Sequence, residues 1–139
     1  TPTYAYDSVD GRVNTAIHMA LRSDTSQYLF KERIEAAKWC TDKGEGWYFP
    51  AKLEMLNVLE NVDLFNAVLT EIGGTLFYTD YMGTEGSSYW TSTEVPGAHG
   101  RYKYYYACSY YLFFGEIKFQ QYQFYNQLHV RAMKWFNEP

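Results

Sequence analysis

Residues 102–126 read YKYYYACSYYLFFGEIKFQQYQFYN, and their spacing decides the kind of fold the chain can adopt. Aromatic residues favour the pleated, half-buried backbone of a sheet, so 104–112 and 116–121 predict two strands, with Gly115 at the turn between them. A half-buried strand sends every second residue to the core. Here the even positions Tyr102, Tyr104, Tyr106, Tyr110, Leu112 and Phe114 are large, and so are the odd positions Tyr105, Tyr111 and Phe113. Two core faces are hard to accommodate in a domain this small, so one face is expected to display aromatic side chains.

Outward from this stretch, 89–93 and 129–135 also read as strands, while the first half reads as helical. A short helix is expected over 14–21, capped by Asn14 or Thr15, with Ile17, Ala20 and Leu21 on one face. A second is expected over 28–42, with Phe30, Ile34, Ala37 and either Trp39 or Cys40 along its stripe and Gly44 at its end. After the apolar run Gly46-Trp47-Tyr48-Phe49-Pro50, a third helix should start near Ala51 and carry Leu53, Leu56 and Leu59 inward. A fourth, capped by Asp63, should bury Leu64, Val68 and Ile72 before Gly73-Gly74. The connection 75–88 is loop-like. Helices followed by clustered strands predict an α+β domain with helices packed on a small, twisted, mainly antiparallel sheet, occupying 1–139 as one domain. Tyr110, Leu112, Ile117, Phe119, Val130 and Met133 are its candidate core.

Composition narrows function. The 139 residues carry a formal net charge of -4 with no basic run, which excludes nucleic acid as the expected partner. No stretch approaches the roughly 18 apolar residues of a membrane span. A start at Thr1, without Met or a signal-like segment, reads as a mature or trimmed piece, the C-terminal part of a longer protein. Cys40 and Cys108 suffice for one bridge and leave the redox compartment open. Aromatic residues make up 20% of the chain, and eight of its 15 tyrosines lie between Tyr102 and Tyr125, with Phe113, Phe114, Phe119 and Phe124 among them. Exposed Tyr mixed with Ser, Asn, His and Gly is the composition of an antibody-like paratope, where rigid rings give contact area at little entropic cost. The expected binding face is His99, Tyr102, Tyr104, Tyr106, Ser109, Tyr111, Phe113, Phe114, Tyr122, Phe124, Tyr125 and Asn126.

Four spaced motifs occur in order: Ala36-Ala37-Lys38-Trp39-Cys40, Gly46-Trp47-Tyr48-Phe49-Pro50, Tyr89-Trp90-Thr91-Ser92-Thr93-Glu94 and Val130-Arg131-Ala132. From about residue 10 to 136 the chain thereby resembles the bacterial C-type-lectin-like domains with GWxLP, YWSSTE and VRxV signatures, found in surface and pilus-tip proteins of Bacteroides-type bacteria and similar in fold to the formylglycine-generating enzyme. Phe49, Thr91 and Cys108 depart from the pattern, standing where Leu, Ser and Trp are usual. The resemblance implies a C-type-lectin-like fold and an extracellular adhesin or receptor-binding domain. It also implies that diversity-generating retroelements rewrite the interval between the YWSSTE and VRxV signatures. Ala107, Leu112, Gly115 and Ile117 match the fixed positions of that interval. Trp47, Trp90 and Arg131 fall in the fixed scaffold, with Arg131 expected to hold Glu94.

Candidate chemistry is sparse. The carboxylate-rich loops with which animal C-type lectins hold calcium do not occur, so binding is expected to be calcium-independent, without cofactor or metal. His18, His99 and His129 form no short ligand motif, and no nucleophile-base or phosphate-loop pattern is present. The expectation is a non-enzymatic domain whose partner is a protein or glycan on another cell or surface. The alternatives are a structural or pilus subunit whose aromatic face is an oligomer interface, and a cysteine-dependent enzyme of the formylglycine-generating type.

Overall fold

The computed structural model describes residues 5–20, 31–77, 88–94, 106–113, 116–123 and 128–136. Along them run α1 (Gly11–Ala20), α2 (Lys31–Thr41), β1 (Trp47–Tyr48), α3 (Lys52–Glu60), α4 (Val62–Ile72), β2 (Ser88–Glu94), β3 (Tyr106–Phe113), β4 (Glu116–Gln123) and β5 (Met133–Lys134). The class is α+β, with small antiparallel sheets: β2-β3-β4 in that order, and β1 paired with β5. Among the described residues no helix is long and apolar enough to cross a membrane.

Polar side chains fix α1, which begins at Gly11 and not at the expected cap. Asp7 and Asp10 turn the chain into the helix: the Asp7 carboxylate accepts the amides of Val9 and Asp10 at 2.8 and 2.7 Å, and Asp10 accepts that of Arg12 at 2.9 Å. Asn14 and Thr15 are engaged elsewhere. The Asn14 amide donates to the Asp7 carbonyl at 2.7 Å and the Ser92 hydroxyl at 3.1 Å, while the Thr15 hydroxyl accepts the Phe49 N–H at 2.9 Å. The inward face is therefore Gly11, Asn14, Thr15 and His18 rather than an apolar stripe, and Ala20 is exposed. A Cβ on Gly11 would lie 2.3 Å from the Phe49 carbonyl oxygen, so the close approach of α1 to the 49–51 segment requires glycine there.

Among the described side chains of α2 the buried positions are Ala37 and Cys40, and Trp39 points out at 48% exposure. In α3 the inward set is Met55, Val58 and Leu59, one face at i, i+3 and i+4; Leu56 is partly buried and Leu53 is exposed, against expectation. The larger departure is α4, where Leu64, Val68 and Ile72 stand 66, 50 and 72% exposed. Its partly buried positions are Val62, Asn66 and Leu69. The Asn66 amide brackets Phe77, accepting its N–H at 2.8 Å and donating to its carbonyl at 3.1 Å, which turns this face inward. Its N-terminal cap position is Asn61, not Asp63, and Gly73 ends it in the left-handed conformation.

The strand pair runs in unbroken antiparallel register from Tyr106↔Gln123 to Phe113↔Glu116, leaving two residues, Phe114 and Gly115, outside the described ones. β2 joins β3 through Tyr89↔Tyr110 and Trp90↔Ser109, with an irregularity before Glu94↔Ala107. The expected strand over 129–135 is divided. His129 bridges the outer side of β2, exchanging bonds of 2.9 Å with Ser88 and Trp90, and the chain then leaves to pair Met133 and Lys134 with β1.

Among the described residues two apolar clusters lie on the sheet. Met55, Val58, Leu59, Phe77, Tyr89, Tyr110 and Leu112 form one, with Ile117 and Met133 packed against it. Ala37, Cys40 and Phe49 form the other, with Trp90, Val130 and Ala132 against it. Adjacent β2 residues, Tyr89 and Trp90, thus feed different clusters, and the middle of β3 is covered on both sides. Phe119 departs from its expected core place: it is 44% exposed, with its ring 5.5 Å from that of Tyr110 and the Lys52 ammonium 4.7 Å from its centre.

Candidate functional site

The aromatic strands meet the described residues only in part. His99, Tyr102, Tyr104, Phe114, Phe124, Tyr125 and Asn126 lie outside them, and Tyr106, Phe113 and Tyr122 are described in backbone course alone. By backbone register, positions 111, 113 and 122 fall on one face of β3–β4 and position 106 on the other. Tyr111 is half-buried opposite Lys118 and Ser88. Ser109 is a correction: it is fully buried between Trp90 and Gln120 in the pairing, so it does not reach a binding face. Its neighbours Cys108 and Tyr110 are also buried, and burial pushes the Tyr110 hydroxyl up to about 12.

The scaffold motifs converge. The Ala36–Cys40, Gly46–Pro50, Tyr89–Glu94 and Val130–Ala132 motifs each place a side chain in or against the cluster around Phe49. Backbone bonds link them too: Ser92 N–H to Pro50 O at 2.8 Å and Trp90 N–H to His129 O at 2.9 Å. Cys40 and Cys108 are both buried and form no disulfide with each other, and burial pushes Cys40 up to about 12, away from the reactive thiolate. No group of three His, Cys, Asp or Glu side chains able to hold a metal ion converges among the described residues.

Arg131 does not pair with Glu94. Its guanidinium donates to the Thr75 carbonyl at 2.7 Å and lies 4.1 Å over the Phe77 ring, and burial lowers its pKa. Two clefts open beside it, sharing Trp47, Leu69, Arg131 and Ala132 as a common wall. One, of about 330 Å³, is walled by Met55, Phe65, Phe77, Met133 and Phe136. The other, of about 610 Å³, carries Trp39, Lys43, Thr75, Tyr89 and His129. The Lys43 ammonium sits 4.0 Å from the Trp39 ring centre and 6.0 Å from that of Trp47. Sequence reasoning assigned Trp47 and Arg131 to scaffold, gave Trp39 as the alternative to Cys40 on the helix stripe and passed over Lys43; the one signal for this site was that only one of Trp39 and Cys40 can take the core position.

Comparison of the chain with family models, with curated proteins and with solved structures finds no match.

Proposed function

We propose that this chain is an extracellular ligand-binding domain of the C-type-lectin-like class, presenting the Tyr- and Phe-rich interval 99–126 on a fixed scaffold and performing no catalysis. The observation that carries the reading is the meeting of all four signature motifs in one cluster around Phe49. Residues that serve only as scaffold should be spent on each other in this way, leaving the intervening segment free to vary. Of the interval's aromatic residues, Tyr106, Tyr110, Tyr111 and Phe113 fall on β3 and Phe119 and Tyr122 on β4, an edge strand of its sheet among the described residues. Binding there would rest on a few ring anchors surrounded by near-neutral contacts. The partner is a protein or glycan on another surface, and the interval is the segment a diversity-generating retroelement would rewrite.

Tyrosine nitration of the native monomer, mapped by mass spectrometry, tests the display. Tyr102, Tyr104 and Tyr125 should be modified while buried Tyr48, Tyr89 and Tyr110 stay protected. Protection of the interval tyrosines in a monomer would remove the reading. A second reading, a structural subunit packed against another copy, draws on the exposed Leu64, Val68 and Ile72 of α4. Protection confined to a dimer seen by light scattering would favour it.

A further inference from the structure

We infer that the two clefts beside Arg131 form one site for a small carboxylate carrying an apolar body, its head group on Arg131 and Lys43 and its body in the smaller cleft. This site is separate from the aromatic interval and does not rest on the reading above.

The argument begins with charge. The chain carries 12 Lys and Arg against 16 Asp and Glu, yet the cleft walls collect Lys43, Arg131 and Lys134 and, among the described residues, no carboxylate. A local cationic wall in an acidic chain is charge complementary to an anion. Arg131 is half-buried and reaches both clefts, and among the described residues the partners of its guanidinium are the Thr75 carbonyl and the Phe77 ring face. A guanidinium presents five N–H donors in a planar fork that matches a carboxylate. One bond to Thr75 holds the fork in place and leaves donors to spare. The removal of water from Arg131, seen in its lowered pKa, is what a bound anion would offset.

The body of the ligand follows from the other walls. Met55, Phe65, Leu69, Met133 and Phe136 offer no hydrogen-bonding partner for a sugar hydroxyl, and methionines adapt to unbranched chains. Its volume of about 330 Å³ is at the lower end of what small-ligand pockets occupy. An aliphatic or aryl monocarboxylate satisfies both halves.

Isothermal titration of the whole chain with octanoate, 1-octanol and octylammonium tests this. Octanoate should bind saturably with one site per chain, about tenfold more tightly than the alcohol, with the ammonium weakest. Arg131→Gln should bring octanoate down to the level of the alcohol without changing the alcohol, and Phe136→Ala, at an exposed wall position, should weaken both. Equal affinity for octanoate and 1-octanol, or octanoate binding unchanged in Arg131→Gln, overturns the proposal, as does the absence of saturable octanoate binding. Should Arg131→Gln lose its cooperative melt, Lys43→Gln, on an exposed side chain, supplies the comparison: a drop of about threefold for octanoate alone is expected, and no drop overturns the assignment.

Discussion

Cys40, Tyr48 and Tyr110 share one physical circumstance: each holds its proton more firmly in the fold than in free chain, chiefly because burial penalises the charged form. At Tyr48 the hydrogen bond to Glu54, 2.6 Å long, and the Glu54 charge add to it. The unfolded chain ionises these groups from their ordinary values, 9.0 for the thiol and 10.0 for the phenols, while the fold keeps Cys40 and Tyr110 neutral to about 12. Unfolding in that interval releases protons, so their contribution to stability is complete below pH 9.0 and declines as pH rises toward about 12. Urea midpoints measured across this range should fall, and Tyr110→Phe combined with Cys40→Ala should flatten the slope; an unaltered slope would show that other groups govern it. Burial of Cys40 was legible as one of two alternatives, since helical spacing fits Trp39 as well. That of Ser109 was not, because alternation assigns a small polar residue on a strand to solvent unless one knows that Trp90 lies opposite it.

At the scale of elements, α4 shows where periodicity stops being informative. Its sequence holds two stripes, Leu64-Val68-Ile72 and Val62-Asn66-Leu69, and the more apolar one faces out. Hydrophobic pattern predicts the existence of this helix and its end at Gly73, but the choice of face depends on Asn66 and its two bonds to the Phe77 backbone, a contact across a loop. Asn66→Ala should therefore destabilise the chain by about 2 kcal/mol, since it leaves a backbone N–H and C=O without their partner. Val68→Lys, which the sequence alone would rate as ruinous, should shift stability by less than about 0.5 kcal/mol. Chemical denaturation of the two variants decides between the faces, and the reverse ranking would mean that the apolar stripe is the packed one. A similar contest separates Trp39 from Cys40 in α2, where both fit the period and only the smaller side chain fits against Phe49.

Over the whole molecule, polar side chains hold distant elements together. Asn14 connects Asp7 to Ser92, and the Thr93 hydroxyl accepts the Lys52 amide at 3.0 Å while donating to the Asp7 carbonyl at 2.7 Å. Glu54 accepts the amides of Gly11 and Ala51 at 2.7 and 3.0 Å and the Tyr48 hydroxyl, so one carboxylate joins α1, β1 and α3. Glu54→Ala strands three donors and should cost about 3 kcal/mol, whereas Glu54→Gln keeps an acceptor for the amides and should cost less than half of that. Equal melting temperatures for the two variants would refute this role. The α+β class and most helices were legible from spacing. The small polar residues of α1 and β2 gave no sign of their task, since local sequence cannot tell a solvated Asn from one whose partner lies far along the chain.

That remoteness bears on how the chain is made. Two of the residues that secure α1 and its entry are synthesised 78 and 86 positions after those they bind, Ser92 after Asn14 and Thr93 after Asp7. A nascent chain therefore brings Phe49 and Glu54 within reach of α1 well before the strand that completes its hold. Full docking of α1 waits for the tyrosine-tryptophan strand to leave the ribosome, so this helix is secured in two stages.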